Sequence, residues 1–228
     1  MKAVFFDFDG TLTKKGTNIW KAIWEECGYD VGKDSYYASL FNRFVDGKIT
    51  HKQWCDLTCE KFREAGFTKD KLIEIADRIE LMDGLDETLE VLMQYGFSLH
   101  IISGNIVLAI EHVLGRRVDY FESINANNFV FDENGVISKI IGTAYDFEGK
   151  AKFINMFKEN TGSKDCDLYF VGNSSNDEWV HESGCRTICI NPDGTEFGDK
   201  TKWHITRQNV SSLTEILDLI DVGIGPER

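Results

Sequence analysis

The hydrophobic pattern changes period along the chain. Residues 2–7, apolar from Ala3 to Phe6 and ending at Asp7, read as a buried strand. Residues 8–16 form a turn rich in Gly, Thr and Lys. From 17 to about 79 the period is helical. Ile19, Trp20, Ile23 and Trp24 make one apolar stripe, and Tyr36, Tyr37, Leu40, Phe41 and Phe44 make another. Further helices are predicted over roughly 50–65 and 69–80, with Gly66 and Thr68 as the C-cap and N-cap between them. From residue 83 strands and helices alternate: helix 86–95 stopped by Gly96, strand 98–102, helix 105–115, then a hairpin over 129–137 turning at Asn134-Gly135. Helix 149–160, strand 168–171, helix 175–183, strand 186–190 and helix 211–220 complete the series, and Asn191-Pro192-Asp193-Gly194 reads as a turn.

Such alternation builds βαβ units and a parallel sheet. The all-helical block interrupts it just after the first strand and reads as an insertion. The expected fold is therefore α/β: a Rossmann-like parallel-sheet core from residues 1–14 and 81–228, a helical cap domain from 15–80, and a small β-hairpin.

Composition narrows the class of partner. With 25 Lys and Arg against 38 Asp and Glu, the chain carries a net charge of −13, which repels a nucleic-acid backbone. An anionic substrate would need a cation or a local basic cluster to reverse that field. No apolar run approaches the roughly 18 residues of a membrane span. The carboxylate of Asp7 stands where a signal peptide would need its apolar stretch. The six cysteines form no C-x-x-C pair and the five histidines are scattered, so neither a zinc ribbon nor a His-based metal site is indicated. Reduced thiols, an acidic surface and no signal point to the cytoplasm.

The chemistry is concentrated in Val4-Phe5-Phe6-Asp7-Phe8-Asp9-Gly10-Thr11-Leu12-Thr13. Ligands of a doubly wound sheet sit at the carboxyl ends of its strands. Asp7 and Asp9 follow directly on one, where an i, i+2 pair can face the same crevice. Two carboxylates so close need a shared cation, or one must hold a proton. One can then act as nucleophile and the other as acid and base. The spacing alone also fits an ordinary acidic turn.

The full string resembles the first motif of the haloacid dehalogenase-like superfamily, and the rest of the chain follows in order. The resemblance implies that Ser103 of Ile101-Ile102-Ser103-Gly104-Asn105 binds a phosphoryl oxygen, with the backbone amides of Gly104 and Asn105 as further donors; by itself Ser103 would pass for a helix N-cap. A Lys opening a later helix is Lys150, or Lys152, in Gly149-Lys150-Ala151-Lys152. Lys150 suits the G-K-x-K pattern of the phosphoserine-phosphatase-like branch better. The fourth motif, G-D-x-x-x-D, is here Gly172-Asn173-Ser174-Ser175-Asn176-Asp177: Asp177 is present and Asn173 replaces the first acid. The implied Mg²⁺ set is Asp7, the backbone carbonyl of Asp9, Asn173 and Asp177, with weaker affinity because an amide oxygen brings no charge.

The implied activity is Mg²⁺-dependent hydrolysis of a small phosphorylated metabolite through an aspartyl-phosphate, by a monomer or homodimer. Phosphomutase chemistry and non-catalytic phosphoryl or partner binding remain alternatives, the latter because of Asn173. Phosphoserine itself fits poorly. The Glu and Arg with which that branch reads the amino acid align with Gly16 and Asp56. Trp20, Trp24, Tyr36, Tyr37 and Trp54 read first as the core of the helical unit. Their second reading is aromatic faces that, with Asp56, hold an ammonium group.

Overall fold

The computed structural model describes residues 1–143, 145–192 and 202–221. Asp193 and Gly194 of the expected turn lie outside them. A seven-stranded sheet runs β4-β3-β2-β1-β5-β6-β7, parallel except for the β3–β4 pair. The strands are β1 (Lys2–Phe6), β2 (Phe97–Ile106), β3 (Ser123–Phe131), β4 (Ile137–Ile141), β5 (Leu168–Gly172), β6 (Arg186–Ile190) and β7 (Ile205–Arg207).

β1 lies between β2 and β5, covered on both faces. Its alternation sends Val4 and Phe6 into one apolar cluster, and Ala3 and Phe5 into another beneath Ile154 of α7 (Glu148–Thr161). Phe6 is in register with Ile101 of β2 and Val171 of β5. Asp7, Ser103 and Asn173 therefore reach the same carboxyl edge of the sheet. Successive strands run outward from β1 on one side to β4 and then resume at β5 on the other, which makes the β1/β5 edge the topological switch point.

Between β1 and α5 (Leu85–Gln94) the chain forms α1 (Ile19–Glu26), α2 (Tyr36–Val45), α3 (His51–Glu64) and α4 (Lys69–Ala76). Asn18, Ser35, Thr50 and Thr68 cap their N-termini through side-chain oxygens. The two connections run side by side: Thr13 bridges Leu81, Lys14 N donates to Glu80 O and Met82 N to Leu12 O. The β3–β4 hairpin acts as a strut. Thr68 bridges Val136, Ile137 N donates to Phe67 O, and Phe62 packs on Phe129.

Several elements differ from the sequence reading. β3 pairs with β2, so the hairpin is part of the main sheet. β2 runs on to Ile106, so that α6 (Val107–Leu114) starts later than the expected residue 105. Residues 175–183 are the expected helix, wound as a 3-10 helix, with Asp177 accepting from the amides of Asn173 and Ser174. The last expected helix shrinks to a 3-10 turn over Leu213–Ile216. β7 is short and mostly exposed, leaving little hydrophobic pattern to find. All six cysteines are free, and no helix of the described residues is long and apolar enough to cross a membrane.

His100 on β2 is buried between Phe5 and Phe157, both with ring centroids 5.1 Å away. Its Nδ1 lies 2.9 Å from Ser123 Oγ and its Nε2 3.1 Å from Ser98 Oγ. Burial pushes its pKa down to about 4; the exposed Glu122 carboxylate, 4.0 Å away, does not offset this. The unfolded chain takes up a proton near 6.5 that the folded chain refuses until about 4. The stability tied to neutral His100 is thus complete above pH 6.5 and is lost as pH falls through that window, by about 3 kcal/mol. Urea unfolding between pH 7 and 4 should show the loss, and His100→Gln should flatten it; an identical pH profile for the variant would contradict the assignment.

Candidate active site

Asp7 enters the crevice with its amide bonded to Val171 O at 2.9 Å, which fixes the turn against β5. Its Oδ1 accepts from Lys150 Nζ at 2.9 Å. Lys150 is wholly buried on the inner face of α7 with Ala151 and Ile154, and it also donates to Asp177 Oδ1 at 2.5 Å. Lys152 points outward and pairs with Glu148 at 3.1 Å, so the structure brings Lys150 to the site and leaves Lys152 on the surface. Burial disfavours charge on Lys150, but Asp177 and Asp7 outweigh it and hold the ammonium protonated. Burial pushes the Asp7 carboxyl up to about 7 against the pull of Lys150.

Asp9 joins the sheet to the inserted helices. Its Oδ2 accepts from the Ile19 amide at the start of α1 at 3.0 Å, and its Oδ1 accepts from Asn105 Nδ2 at 2.7 Å. Burial pushes its carboxyl up to about 6, opposed by those two donors. A group so placed can hold a proton and give it up near neutral pH. Gly10, at φ +73°, is required twice over: the backbone is left-handed, and a Cβ there would lie 2.3 Å from Asn173 Nδ2.

Ser103 is buried, with its Oγ accepting from Asn105 N at 3.3 Å. Gly104 O takes bonds from Trp20 Nε1 at 2.7 Å and Asn127 Nδ2 at 2.6 Å, which dock α1 and β3 on this loop. A Cβ on Gly104 would stand 2.6 Å from Asp146 Oδ2. On the β5 side, Asp177 Oδ2 accepts from the amides of Asn173 and Ser174 at 3.0 and 3.1 Å. Both Asp177 oxygens are thus engaged within the protein. Asn173 Oδ1, by contrast, is buried without a hydrogen-bond partner.

Asp7, Asp9, Ser103, Gly104, Asn105 and Asn173 floor a cavity of about 290 Å³ walled by α1, α2 and α3 and by the loop before α7. Of the aromatic residues singled out in the sequence, Trp20, Tyr37 and Trp54 line it. Trp24 is core, packed against Tyr29 and Phe62, and Tyr36 lies at the surface. Asp56 is exposed and paired with Lys52 at 2.6 Å, so it contributes no carboxylate to the cavity; Asp146 does. Asp146 had no signal in the sequence beyond preceding Lys150 by four positions.

Asp7 and Asp177 share one ammonium here, the Asp9 carboxyl lies in the same cavity, and the amide oxygen of Asn173 lacks a donor. That combination fits a divalent cation with oxygen ligands. No group of three or more His, Cys, Asp or Glu converges among the described residues; the donor set here includes an amide and a backbone carbonyl.

A family model, haloacid dehalogenase-like hydrolase, matches residues 1–178. The chain belongs to this family. Within the haloacid dehalogenase-like hydrolases it is similar to phosphoserine phosphatases. The one from Archaeoglobus fulgidus is 22% identical over 221 residues, 96% of this chain and 60% of its own. The one from Haemophilus influenzae is 23% identical over 180 residues, 75% of this chain and 56% of its own. The chain thus spans less than two thirds of either relative. A solved phospho-aspartyl intermediate analogue of phosphoserine phosphatase superposes with a TM-score of 0.73 at 21% identity, covering 96% of this chain and 99% of that one. A substrate-bound phosphoserine phosphatase complex gives 0.74 at 19%, covering 96% and 98%. At these identities the likeness is one of fold.

Proposed function

We propose that this hydrolase is a phosphatase that cleaves a small phosphorylated metabolite through an aspartyl-phosphate. The observation that carries the reading is Asp7, held by Lys150 at the switch point of the sheet, with the protonatable Asp9 beside it. Asp7 attacks phosphorus and the bond from phosphorus to the leaving oxygen breaks as Asp9 gives that oxygen its proton. Asp9 then takes a proton from water, whose oxygen attacks the phosphoryl group, releasing phosphate and restoring Asp7. Ser103, Lys150 and the amides of Gly104 and Asn105 stabilise the phosphoryl oxygens. Asp7, the Asp9 carbonyl and Asn173 would hold Mg²⁺, which would supply positive charge for those oxygens. Asp177, with both oxygens engaged, anchors Lys150 and the Asn173–Ser174 turn. Residues 15–80 serve as the cap over the leaving group.

Phosphate release from a panel of monoesters, with Mg²⁺ and with chelator, tests this: turnover should need the ion. No turnover with Mg²⁺, Mn²⁺ or Co²⁺ would favour the non-catalytic reading, which Asn173 motivates. Asn173→Asp should tighten Mg²⁺ binding by about tenfold, since a charged ligand replaces a neutral one. Calorimetry would check it, and unchanged or weaker affinity would show that residue 173 does not touch the ion.

A further inference from the structure

We infer that the leaving group of this phosphatase carries a positive charge and no carboxylate, as in a phosphorylated amino alcohol with an ammonium or quaternary ammonium group. The inference rests on the phosphatase reading and adds the substrate class.

Above the catalytic floor the cavity wall is aromatic: Trp20, Phe44, Trp54 and Phe147 lie on different elements and enclose the same space. The rings are held in place. Trp20 Nε1 is bonded to Gly104 O, Trp54 meets Trp20 edge-on with centroids 4.8 Å apart, and Phe147 meets Phe44 edge-on at 5.6 Å. Phe147 adopts φ +50°, a conformation an L side chain rarely accepts, and its amide is tied to Asp146 Oδ1 at 3.0 Å. That strain places an aromatic ring at the mouth beside a carboxylate.

The charges point the same way. Among the described residues no Lys or Arg lines the cavity. The buried ammonium of Lys150 is committed to Asp7 and Asp177. Burial holds His51, stacked on Trp54, below its ordinary pKa, so it is neutral at pH 7. Asp146 lines the cavity with Oδ1 accepting from Asn176 Nδ2 at 3.0 Å; Lys150 feels its charge, but no Lys or Arg of the described residues forms an ion pair with it. A substrate carboxylate would therefore enter a wall of π-faces and acid with nothing to offset its charge. A cationic group would meet ring faces, which attract it, and the Asp146 carboxylate.

Four substrates of similar size separate the terms: phosphocholine, phosphoethanolamine, phosphoserine, and 3,3-dimethylbutyl phosphate, the uncharged carbon isostere of phosphocholine. The better of the two cationic esters should exceed both phosphoserine and the isostere in kcat/KM by about tenfold or more. Asp146→Asn and Trp54→Leu should each lower the ratio of phosphocholine to the isostere, a quantity insensitive to general damage to the site. Use of the isostere equal to that of the better cationic ester would show an apolar pocket without charge selection and overturn the inference, as would a preference for phosphoserine; in either case the phosphatase reading would stand. No turnover of any of the four, nor of p-nitrophenyl phosphate, would remove both.

Discussion

Asp7→Asn should abolish phosphate release, lowering kcat by on the order of 10⁴-fold or more, while leaving the protein as stable as before or slightly more so. The two halves have one cause. Asp7 shares the buried Lys150 ammonium with Asp177, and burial pushes its carboxyl up to about 7, so its ionised form costs stability where it sits. An amide of the same shape removes that cost. It also removes the only oxygen nucleophile the reading allows, because Asp9 is tied to the Ile19 amide and Asn105. Activity and thermal unfolding of the two proteins, with mass spectrometry of acid-quenched reactions, give the test. The wild type should show a phosphorylated species mapping to Asp7 and the variant none. Turnover that survives the substitution would sink the mechanism, whatever the stability result.

The parts of this site that could be read in the sequence are those fixed by local rules. An unbroken apolar strand ending in Asp7 must be central, and its C-terminal edge is where such a sheet binds ligands; the registers of Phe6 with Ile101 and Val171 show that edge directly. Lys150 and Lys152 were harder to separate, since only the docking of α7 decides which enters the core: Lys150 shares a buried face with Ala151 and Ile154, and Lys152 does not. Trp20 and Trp24 lie four residues apart on one helical face, yet one lines the cavity and the other fills the core. Periodicity places both inward and cannot say that Gly104 O waits for the Trp20 indole. Asp146 was invisible for a related reason. It sits in a loop, and its meaning comes from Asn176 and from the clearance that Gly104 leaves for it, contacts made across 30 and 42 positions of sequence. Residues 175–183 are helical over the bounds the sequence suggests, but composition does not set the helix type; the pull of Asp177 on two backbone amides accompanies the tighter 3-10 winding.

Lys150→Met should cost about 3–5 kcal/mol of stability at pH 8, as expected when one partner of a buried ion pair is removed and the other stays. Methionine fills much of the space, so packing accounts for little of this loss. The loss arises because Asp177, wholly buried, and Asp7, nearly so, remain without the ammonium that both contacted. Asp177 Oδ2 still has its two amides, but Oδ1 is left with nothing. The pH dependence identifies the cause. In the variant the Asp7 carboxyl, which burial already pushes up, loses the ammonium that held it down, whereas in the unfolded chain it ionises near 4. The penalty is therefore full when pH is above the raised folded-state value and falls away as pH drops and Asp7 takes up a proton. Urea unfolding of both proteins at pH 8 and at pH 5.5 should show a smaller difference at the lower value. A difference that is the same at both would mean that Lys150 matters through its packing alone. An energetic role for the two ion pairs that Lys150 makes with Asp7 and Asp177 would then have to be given up.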